Sequence, residues 1–161
     1  MRITHKVDYG IRVMTSLAVF GSDQPGKPIS RAILAERDSI PSGFIDDILR
    51  LLRNGQLVRS HRGAEGGWTL ARPPESISVA DVIRVLEGPI ASVRGLRPHE
   101  LPSEGVAAPL VSLWIALRAS MRTVLEHVTI ADLASGQLPP DIAEMASAPD
   151  AWDDRTPLRP R

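Results

Sequence analysis

The sequence predicts a mainly α-helical chain with one small β-hairpin, arranged as a winged helix-turn-helix followed by a long dimerisation helix. Within residues 40–72, a helical repeat of apolar residues changes to a two-residue alternation around a glycine-rich turn. Between residues 110 and 128, apolar residues recur at alternating spacings of four and three. A helix followed directly by a basic hairpin is typical of a winged helix, and the second pattern is typical of a helix that pairs with another.

The first two helices form the start of the predicted helix-turn-helix. An amphipathic helix capped by Thr4 extends to about Gly21, and residues 22–28 form a loop rich in turn residues. Ser30 caps a short second helix that ends near Arg37. A short turn of residues 38–40 joins this helix to the third helix, which carries polar residues outward, and two helices joined in this way are the arrangement of a helix-turn-helix. The apolar side of the first helix consists of Ile3, Val7, Ile11, Met14 and Leu17 or Ala18.

The third helix is predicted to begin near Pro41 and to end at Gly55, which would adopt the left-handed conformation after the last turn. Its adjacent acids Asp46 and Asp47 are unexpected in a DNA-reading helix, because carboxylates repel phosphates. Asp46 can accept a hydrogen bond from a cytosine amino group. The alternative is that both acids favour the helix dipole and that Asp46 pairs with Arg50. The apolar face comprises Phe44, Ile45, Ile48, Leu49 and Leu52.

The hairpin places basic residues on its outgoing strand and at its tip. Arg62, which precedes Gly63, can enter a narrow and electronegative minor groove. The alternative is a solvated basic hairpin without a ligand, but a tip with one acid, Glu65, favours DNA. Turn formation explains the glycines better than phosphate binding does, since no phosphate-loop motif accompanies them. The outgoing strand and tip carry Arg59, Ser60, His61 and Arg62.

A fourth helix, with Ser78 and Asp81 in capping-box positions, completes a predicted DNA-binding domain of residues 1–89. Residues 90–109 contain scattered Gly and Pro without a period and are predicted to be a loop. The apolar seam then predicts a dimerisation segment of residues 110–136, containing the long helix and one short helix. The alternative is that the long helix packs on its own domain. The seam consists of Leu110, Trp114, Leu117, Met121, Val124 and Val128.

The remaining residues, 137–161, are rich in Pro, Ala and Asp and predict a poorly ordered tail. No apolar run approaches membrane-spanning length, and the first residues do not form a secretory signal, so we expect a cytoplasmic protein that does not bind membranes.

Composition limits the chemistry of the chain. Its 161 residues contain no cysteine, which excludes disulfides and thiolate ligands. The four histidines are scattered, and no nucleophile motif is present, so we expect no metal site, no cofactor and no enzyme activity. The net charge is zero, but residues 1–72 contain 11 basic and 7 acidic residues, whereas residues 73–161 contain 8 and 12. The positive half is the half that contains the predicted winged helix.

The run LVRSHRGAEGGWTLAR closely resembles the wing signature of the Rrf family of bacterial winged-helix transcription regulators. The most specific part is RGxxGG followed by an aromatic residue and LAR. The resemblance extends over residues 1–136, through MRITHKVDYGIRVM, IPSGFIDDILRLLRNGQLV, ISVADVIRVLEGP and LWIALRASMRTVLEHVTIADL.

The resemblance implies a homodimer with long helices crossed between subunits, which binds double-stranded DNA at a palindromic operator. It places Thr4, Lys6 and Tyr9 near the DNA backbone and Ser42, Gly43, Phe44 and Asp46 on the recognition helix, with Ser60 and Arg62 as wing contacts. Arg53 and Arg59, which are basic residues of the same helix and strand, complete the candidate DNA-binding set.

One departure from the family concerns its sensor. Many members hold an iron-sulfur cluster with three cysteines in the loop after the fourth helix, but the corresponding ASVRGLRPHELPSEGVAAP has none. A cysteine-ligated cluster is therefore excluded as the effector. The loop either binds a small molecule or a protein effector, or serves as a connector.

The sequence thus predicts a dimeric transcription regulator, and a repressor in particular. The alternative is a winged-helix adaptor that binds a protein or small molecule without binding DNA. The neutral net charge and the pair Asp46 and Asp47 favour the adaptor, and the basic wing favours the regulator.

Overall fold

The computed structural model describes residues 3–63, 65–102, 104–105 and 108–152. It confirms the predicted fold class, because helices predominate and one antiparallel hairpin follows the third helix. The helices are α1 (His5–Asp23), α2 (Arg31–Arg37), α3 (Ser42–Asn54), α4 (Val79–Glu87), α5 (Ala108–His127), α6 (Ile130–Ser135) and α7 (Pro140–Ser147). The strands are β1 (Val58–His61) and β2 (Gly67–Leu70), and short 3-10 turns occupy Pro74–Ser76, Pro98–Glu100 and Pro149–Ala151.

The predicted helix caps are present. The Thr4 and Ser30 hydroxyls accept hydrogen bonds from backbone amides at the starts of α1 and α2, and Ser78 forms a capping box with Asp81. The prediction for Gly55 was wrong, because its φ is −79° and the left-handed residue is Gln56, with φ of 59°. Packing against α4 explains this glycine, since a Cβ would lie 2.6 Å from a methyl carbon of Val85.

The helix-turn-helix has a core made by α1, α3 and α4, and α6 packs against α1 in the same core. Ile130 of α6 is fully buried there, and the amide of Ile130 donates to the Ile77 carbonyl at 2.8 Å. The short helix that the sequence assigned to the dimerisation segment is therefore part of the winged-helix core.

A partly buried polar contact joins α1 to the turn between α2 and α3. The Ser16 hydroxyl donates to Asp38 Oδ1 at 2.7 Å, and burial raises the pKa of the Asp38 carboxyl above its ordinary value. Oδ2 of Asp38 is buried without a hydrogen-bond partner among the described residues. This contact fixes α1 against the helix-turn-helix turn.

The wing is a two-stranded hairpin that an isolated backbone bridge joins to a third segment of the chain. In the hairpin, Val58 lies opposite Leu70 and His61 opposite Gly67. Ile29, which precedes α2, exchanges both backbone hydrogen bonds with Trp68, at 3.0 and 2.8 Å. The wing is therefore tied to the chain segment that enters the helix-turn-helix.

The segment after residue 136 differs from its prediction. The expected poorly ordered tail contains α7, which begins after Pro139 and buries Ile142 against Val79 and Val128. A single apolar residue anchors this helix, so the sequence had no apolar period to reveal it. Residues 153–161 of the predicted tail lie outside the described residues.

The long helix α5 is mostly exposed over its first two-thirds. Val128, just after it, is buried within the chain itself, so the exposed apolar surface does not extend to this end of the predicted seam. The exposed surface instead includes Leu113 and Ile115, which the seam did not contain. By length and composition alone, α5 could span a membrane, which corrects the expectation that no apolar run came close.

A charged cluster connects α5 to α4. Glu126 accepts two hydrogen bonds from Arg122, at 2.8 and 3.0 Å. It also pairs with Arg84 of α4. Nη1 of Arg84 in turn lies 3.5 Å from Oδ1 of Asp81. The hydrogen bonds from Arg122 have the largest effect on the pKa of Glu126 and the one from Arg84 the next largest, and together they lower this pKa from 4.5 to about 2.

Replacing Glu126 by glutamine is expected to reduce the acid dependence of stability. A carboxyl with a depressed folded-state pKa stabilises the fold fully above its unfolded pKa, here 4.5, and this stabilisation is lost as the pH falls towards about 2. Urea unfolding should show the largest difference between wild type and Glu126→Gln near neutral pH, and a smaller one near pH 3. Glu36→Gln on α2 is the control, and a Glu126→Gln difference that does not change with pH would refute this linkage.

Candidate nucleic-acid interface

The N-terminal half of α3 presents an exposed polar surface. Ile45 and Ile48 are buried in the core, which leaves Ser42, Gly43 and Asp46 exposed on the other side. In a helix-turn-helix, this part of the second helix is the one that contacts base edges in the major groove. Three of the predicted recognition residues therefore lie on one accessible surface.

Phe44 belongs to this surface rather than to the apolar face where its spacing placed it. Its side chain is 44% exposed, and its ring meets that of Tyr9 edge to face, with the centroids 5.6 Å apart. Tyr9 in turn stacks with His5 at 6.0 Å. The start of α1 thus supports the start of α3, which brings two groups of predicted DNA contacts together.

Glu87, at the end of α4, organises the first residues of α1. Its Oε1 lies 3.3 Å from Lys6 Nζ and accepts a hydrogen bond from the Thr4 hydroxyl at 3.0 Å. Glu87 therefore holds the two predicted backbone-contacting side chains next to each other. The sequence did not single out Glu87, because 83 residues separate it from Thr4 and only the packing of α4 on α1 joins them.

Both acids of α3 are paired with arginines. Asp46 Oδ2 lies 2.6 Å from Arg31 Nη1 of α2, and Asp47 pairs with Arg50 one turn further along α3. The alternative pair of Asp46 with Arg50 is not formed, because Arg31 approaches from the preceding helix. Each carboxylate is offset by a guanidinium, so the acids oppose an approaching phosphate less than the sequence alone suggested. Arg31 is a further residue of the candidate interface that sequence reasoning missed.

The wing candidates are exposed but do not share one face. Arg59 lies opposite Thr69 and Ser60 opposite Trp68, and successive strand residues point to opposite faces of a sheet. Arg62 follows β1 at the tip, where Gly63 has φ of 112°. The positive φ gives Gly63 a conformation that most other residues rarely adopt.

Arg53 stands apart from the other α3 candidates. It lies in the last turn of α3 and is exposed, about 16 Å along the helix axis from Ser42. The candidate recognition surface at the start of the helix therefore does not include Arg53.

The segment between α4 and α5 and the first part of α5 border a small open hollow of about 190 Å³. Val93, Arg94 and Leu101 line it from the loop, and Leu110 and Trp114 line it from α5. Trp114 of the predicted seam thus contacts the loop of its own chain.

The family model described as Rrf2, an iron-dependent transcriptional regulator, matches residues 3–136. A Mycobacterium tuberculosis protein provisionally named an HTH-type transcriptional regulator is 48% identical over 146 residues, covering 91% of this chain and 89% of its own length. CymR of Bacillus subtilis is 36% identical over 135 residues, covering 84% of this chain and 91% of its own length.

Solved structures of similar proteins are also structures of transcription regulators. The global cysteine regulator CymR of B. subtilis superposes with a TM-score of 0.70 at 34% identity, covering 85% of this chain and 98% of that one. IscR of T. potens superposes with a TM-score of 0.67 at 31% identity, and the match covers 92% of each chain. The relatives named here are transcription regulators rather than enzymes.

The iron dependence in the family description does not fit a cluster held by thiolates in this chain. The sequence contains no cysteine, and the described residues include no group of three His, Asp or Glu side chains placed to hold a metal ion. The match over residues 3–136 and the identities of its relatives nevertheless fix its family. The chain is a cysteine-free member of the Rrf2 family of transcription regulators.

Proposed function

We propose that this regulator is a sequence-specific repressor that binds a palindromic operator as a homodimer, without a cysteine-ligated cluster. The observation that carries the proposal is the exposed start of α3. Ser42 and Gly43 are exposed there, the Phe44 ring contacts that of Tyr9, and both nearby acids are paired with arginines. The DNA-binding unit consists of residues 1–89 together with α6, and residues 90–109 connect it to the dimerisation helix.

In the proposed complex, α3 enters the major groove with its N-terminal half. Ser42 and Asp46 offer polar groups to base edges, and the exposed ring of Phe44 offers apolar contact to a thymine methyl group. Asp46 accepts from a cytosine amino group while Arg31 offsets its charge. The glycine at position 43 leaves open space for a base pair, since a Cβ there would meet no other atom within 4 Å.

The remaining candidates contact the sugar-phosphate backbone and the flanking minor groove. Thr4 and Lys6 lie together at the start of α1, where Glu87 sets their positions. Arg53 and Arg59 supply positive charge for contacts with the DNA backbone, and Arg62 enters the minor groove. Such contacts fix the register of a protein on DNA, whereas the base contacts determine its sequence preference.

The exposed surface of α5 is the proposed dimer interface. The predicted seam residues Leu110, Trp114, Leu117, Met121 and Val124 contribute to it together with Leu113, whereas Ile115 lies on the opposite side of the helix. We infer that a second copy rather than lipid covers this helix, because Arg118, Arg122 and Glu126 would be costly to place in a bilayer. The proposal is therefore a cytoplasmic dimer whose twofold axis matches that of the operator.

Replacing Arg62 with alanine is expected to weaken specific binding by about 1–3 kcal/mol, because the wing would lose its minor-groove contact. Arg62 is exposed, so the fold should be unaffected. Fluorescence anisotropy with an operator duplex measures the change, and Arg94→Ala in the distant loop is the control. An unchanged operator affinity in the folded Arg62→Ala protein would remove this residue from the interface.

Selection from a pool of random duplexes tests the function itself. A palindromic consensus recovered by the purified chain would support the proposal, and Asp46→Asn should recover an altered consensus. Recovery of unrelated sequences would contradict specific reading and favour the adaptor function.

A further inference from the structure

A cleft of about 410 Å³ separates the wing from the C-terminal part of α1. Its volume falls within the range of about 300–1,000 Å³ that is usual for small-molecule sites. Leu17 and Phe20 form one wall, and Trp68 and Leu70 of β2 form the opposite wall. The described residues that line it include none from α3 or from the loop of residues 90–109, so the cleft is distinct from the proposed recognition surface and from the hollow beside α5.

The cleft combines apolar walls with a polar rim. Ser22 in the last turn of α1 and Lys27 on the following loop lie at the rim. His61 and Thr69 lie there on the wing, where His61 Nε2 is 2.9 Å from Thr69 Oγ1. Of the described lining residues, Lys27 is the only Lys, Arg, Asp or Glu. An apolar cavity with one positive charge at its mouth is complementary to an apolar molecule that carries one negative charge.

We propose that this cleft binds a small apolar carboxylate, composed of one or two rings or a short acyl chain. The apolar body lies between Phe20 and Trp68, and the carboxylate pairs with the ammonium group of Lys27. A neutral molecule of the same shape retains the apolar contacts but loses the ion pair, and therefore binds less tightly.

The position of the cleft connects this ligand to DNA binding. The ligand touches α1 and the wing together, and His61 at the rim directly precedes Arg62. A ligand that prefers one position of the wing shifts the chain towards that position. This regulatory step rests on the proposed function, whereas binding in the cleft does not.

Binding is tested on the full chain with indole-3-acetate and its neutral counterpart indole-3-acetamide. In ¹H–¹⁵N spectra of the tryptophan indole groups, indole-3-acetate should shift the Trp68 signal saturably. Trp114 lines the other hollow, whose volume of about 190 Å³ is too small for such a ligand, so its signal should not respond and is an internal control. The acetamide should bind about three- to fivefold more weakly, the factor expected for an exposed ion pair. The Lys27→Met substitution should weaken binding of indole-3-acetate by the same factor and leave binding of indole-3-acetamide unchanged. Arg94→Met is the matched control and should change neither affinity.

Three outcomes would overturn the ligand assignment: no saturable Trp68 shift with either probe up to about 10 mM, equal affinity for the acid and the amide, or no effect of Lys27→Met. The regulatory step has its own measurement, since the factor by which indole-3-acetate changes operator affinity must equal the factor by which operator changes indole-3-acetate affinity. Saturable binding without such coupling would overturn the regulatory step alone. Failure of the chain to bind any operator would instead count against the proposed function.

Discussion

A chain with both Leu113 and Leu117 replaced by glutamate is expected to be monomeric and to bind operator at least about 100-fold more weakly. The two side chains lie one helical turn apart on α5 and are 57% and 38% exposed in the single chain. In a dimer they would be buried, and two unpaired carboxylates in an apolar interface would destabilise it strongly. A monomer engages one half-site, so it loses the gain that comes from linking two binding events.

Light scattering coupled to size exclusion measures the oligomeric state, and anisotropy measures operator affinity. Ala119→Glu is the matched control, because Ala119 is also exposed on α5 but lies about 140° around the helix from the midpoint of the two leucines. The far-ultraviolet circular dichroism of the double variant should match that of wild type. A folded Leu113→Glu/Leu117→Glu protein that remains dimeric would contradict the proposed interface.

Gly67→Ala should lower the free energy of unfolding by about 2 kcal/mol or more and release the wing from the segment before α2. A Cβ on residue 67 would lie 2.6 Å from the carbonyl carbon of Ile29 and 3.0 Å from the amide nitrogen of Ser30. Both are backbone atoms next to the paired hydrogen bonds of Ile29 and Trp68, so no side-chain rotation relieves the clash.

Gly21→Ala provides the control for this glycine. Gly21 lies within α1, and a Cβ there would meet no other atom within 4 Å, so alanine should stabilise the chain by about 0.4–1 kcal/mol. Urea denaturation of both variants gives the two free energies. Equal stability of Gly67→Ala and wild type would show that the wing can separate from Ile29 without cost.

Local patterns in the sequence were sufficient for most of the secondary structure. The caps at Thr4, Ser30 and Ser78 depend on residues only three positions apart, so the sequence contains all the information that they require. Gly55 was misinterpreted because two reasons for a glycine, a left-handed backbone and a close neighbour, look identical in sequence. Here the neighbour is Val85, which lies 30 positions away.

The features that the sequence did not reveal depend on contacts between distant segments. Asp46 pairs with Arg31, and Lys6 pairs with Glu87, only because packing of the helices brings these residues together. The apolar period of α5 predicted a long helix, but its burial depends on which turns α4 and α7 cover, so Val128 could not be distinguished from Leu117. The sequence identified the segments of the candidate site, and the fold supplied the pairings between them.

The most direct test of the central claim is a salt-dependent gel-shift titration with the purified, cofactor-free chain. The probe is DNA from around its own gene, and the competitor is scrambled DNA of the same composition. A sequence-specific regulator should keep its complex against the scrambled competitor, and its affinity should fall steeply as salt increases because phosphate contacts release counterions. Equal competition by scrambled DNA, or affinity that does not change with salt, would contradict the account.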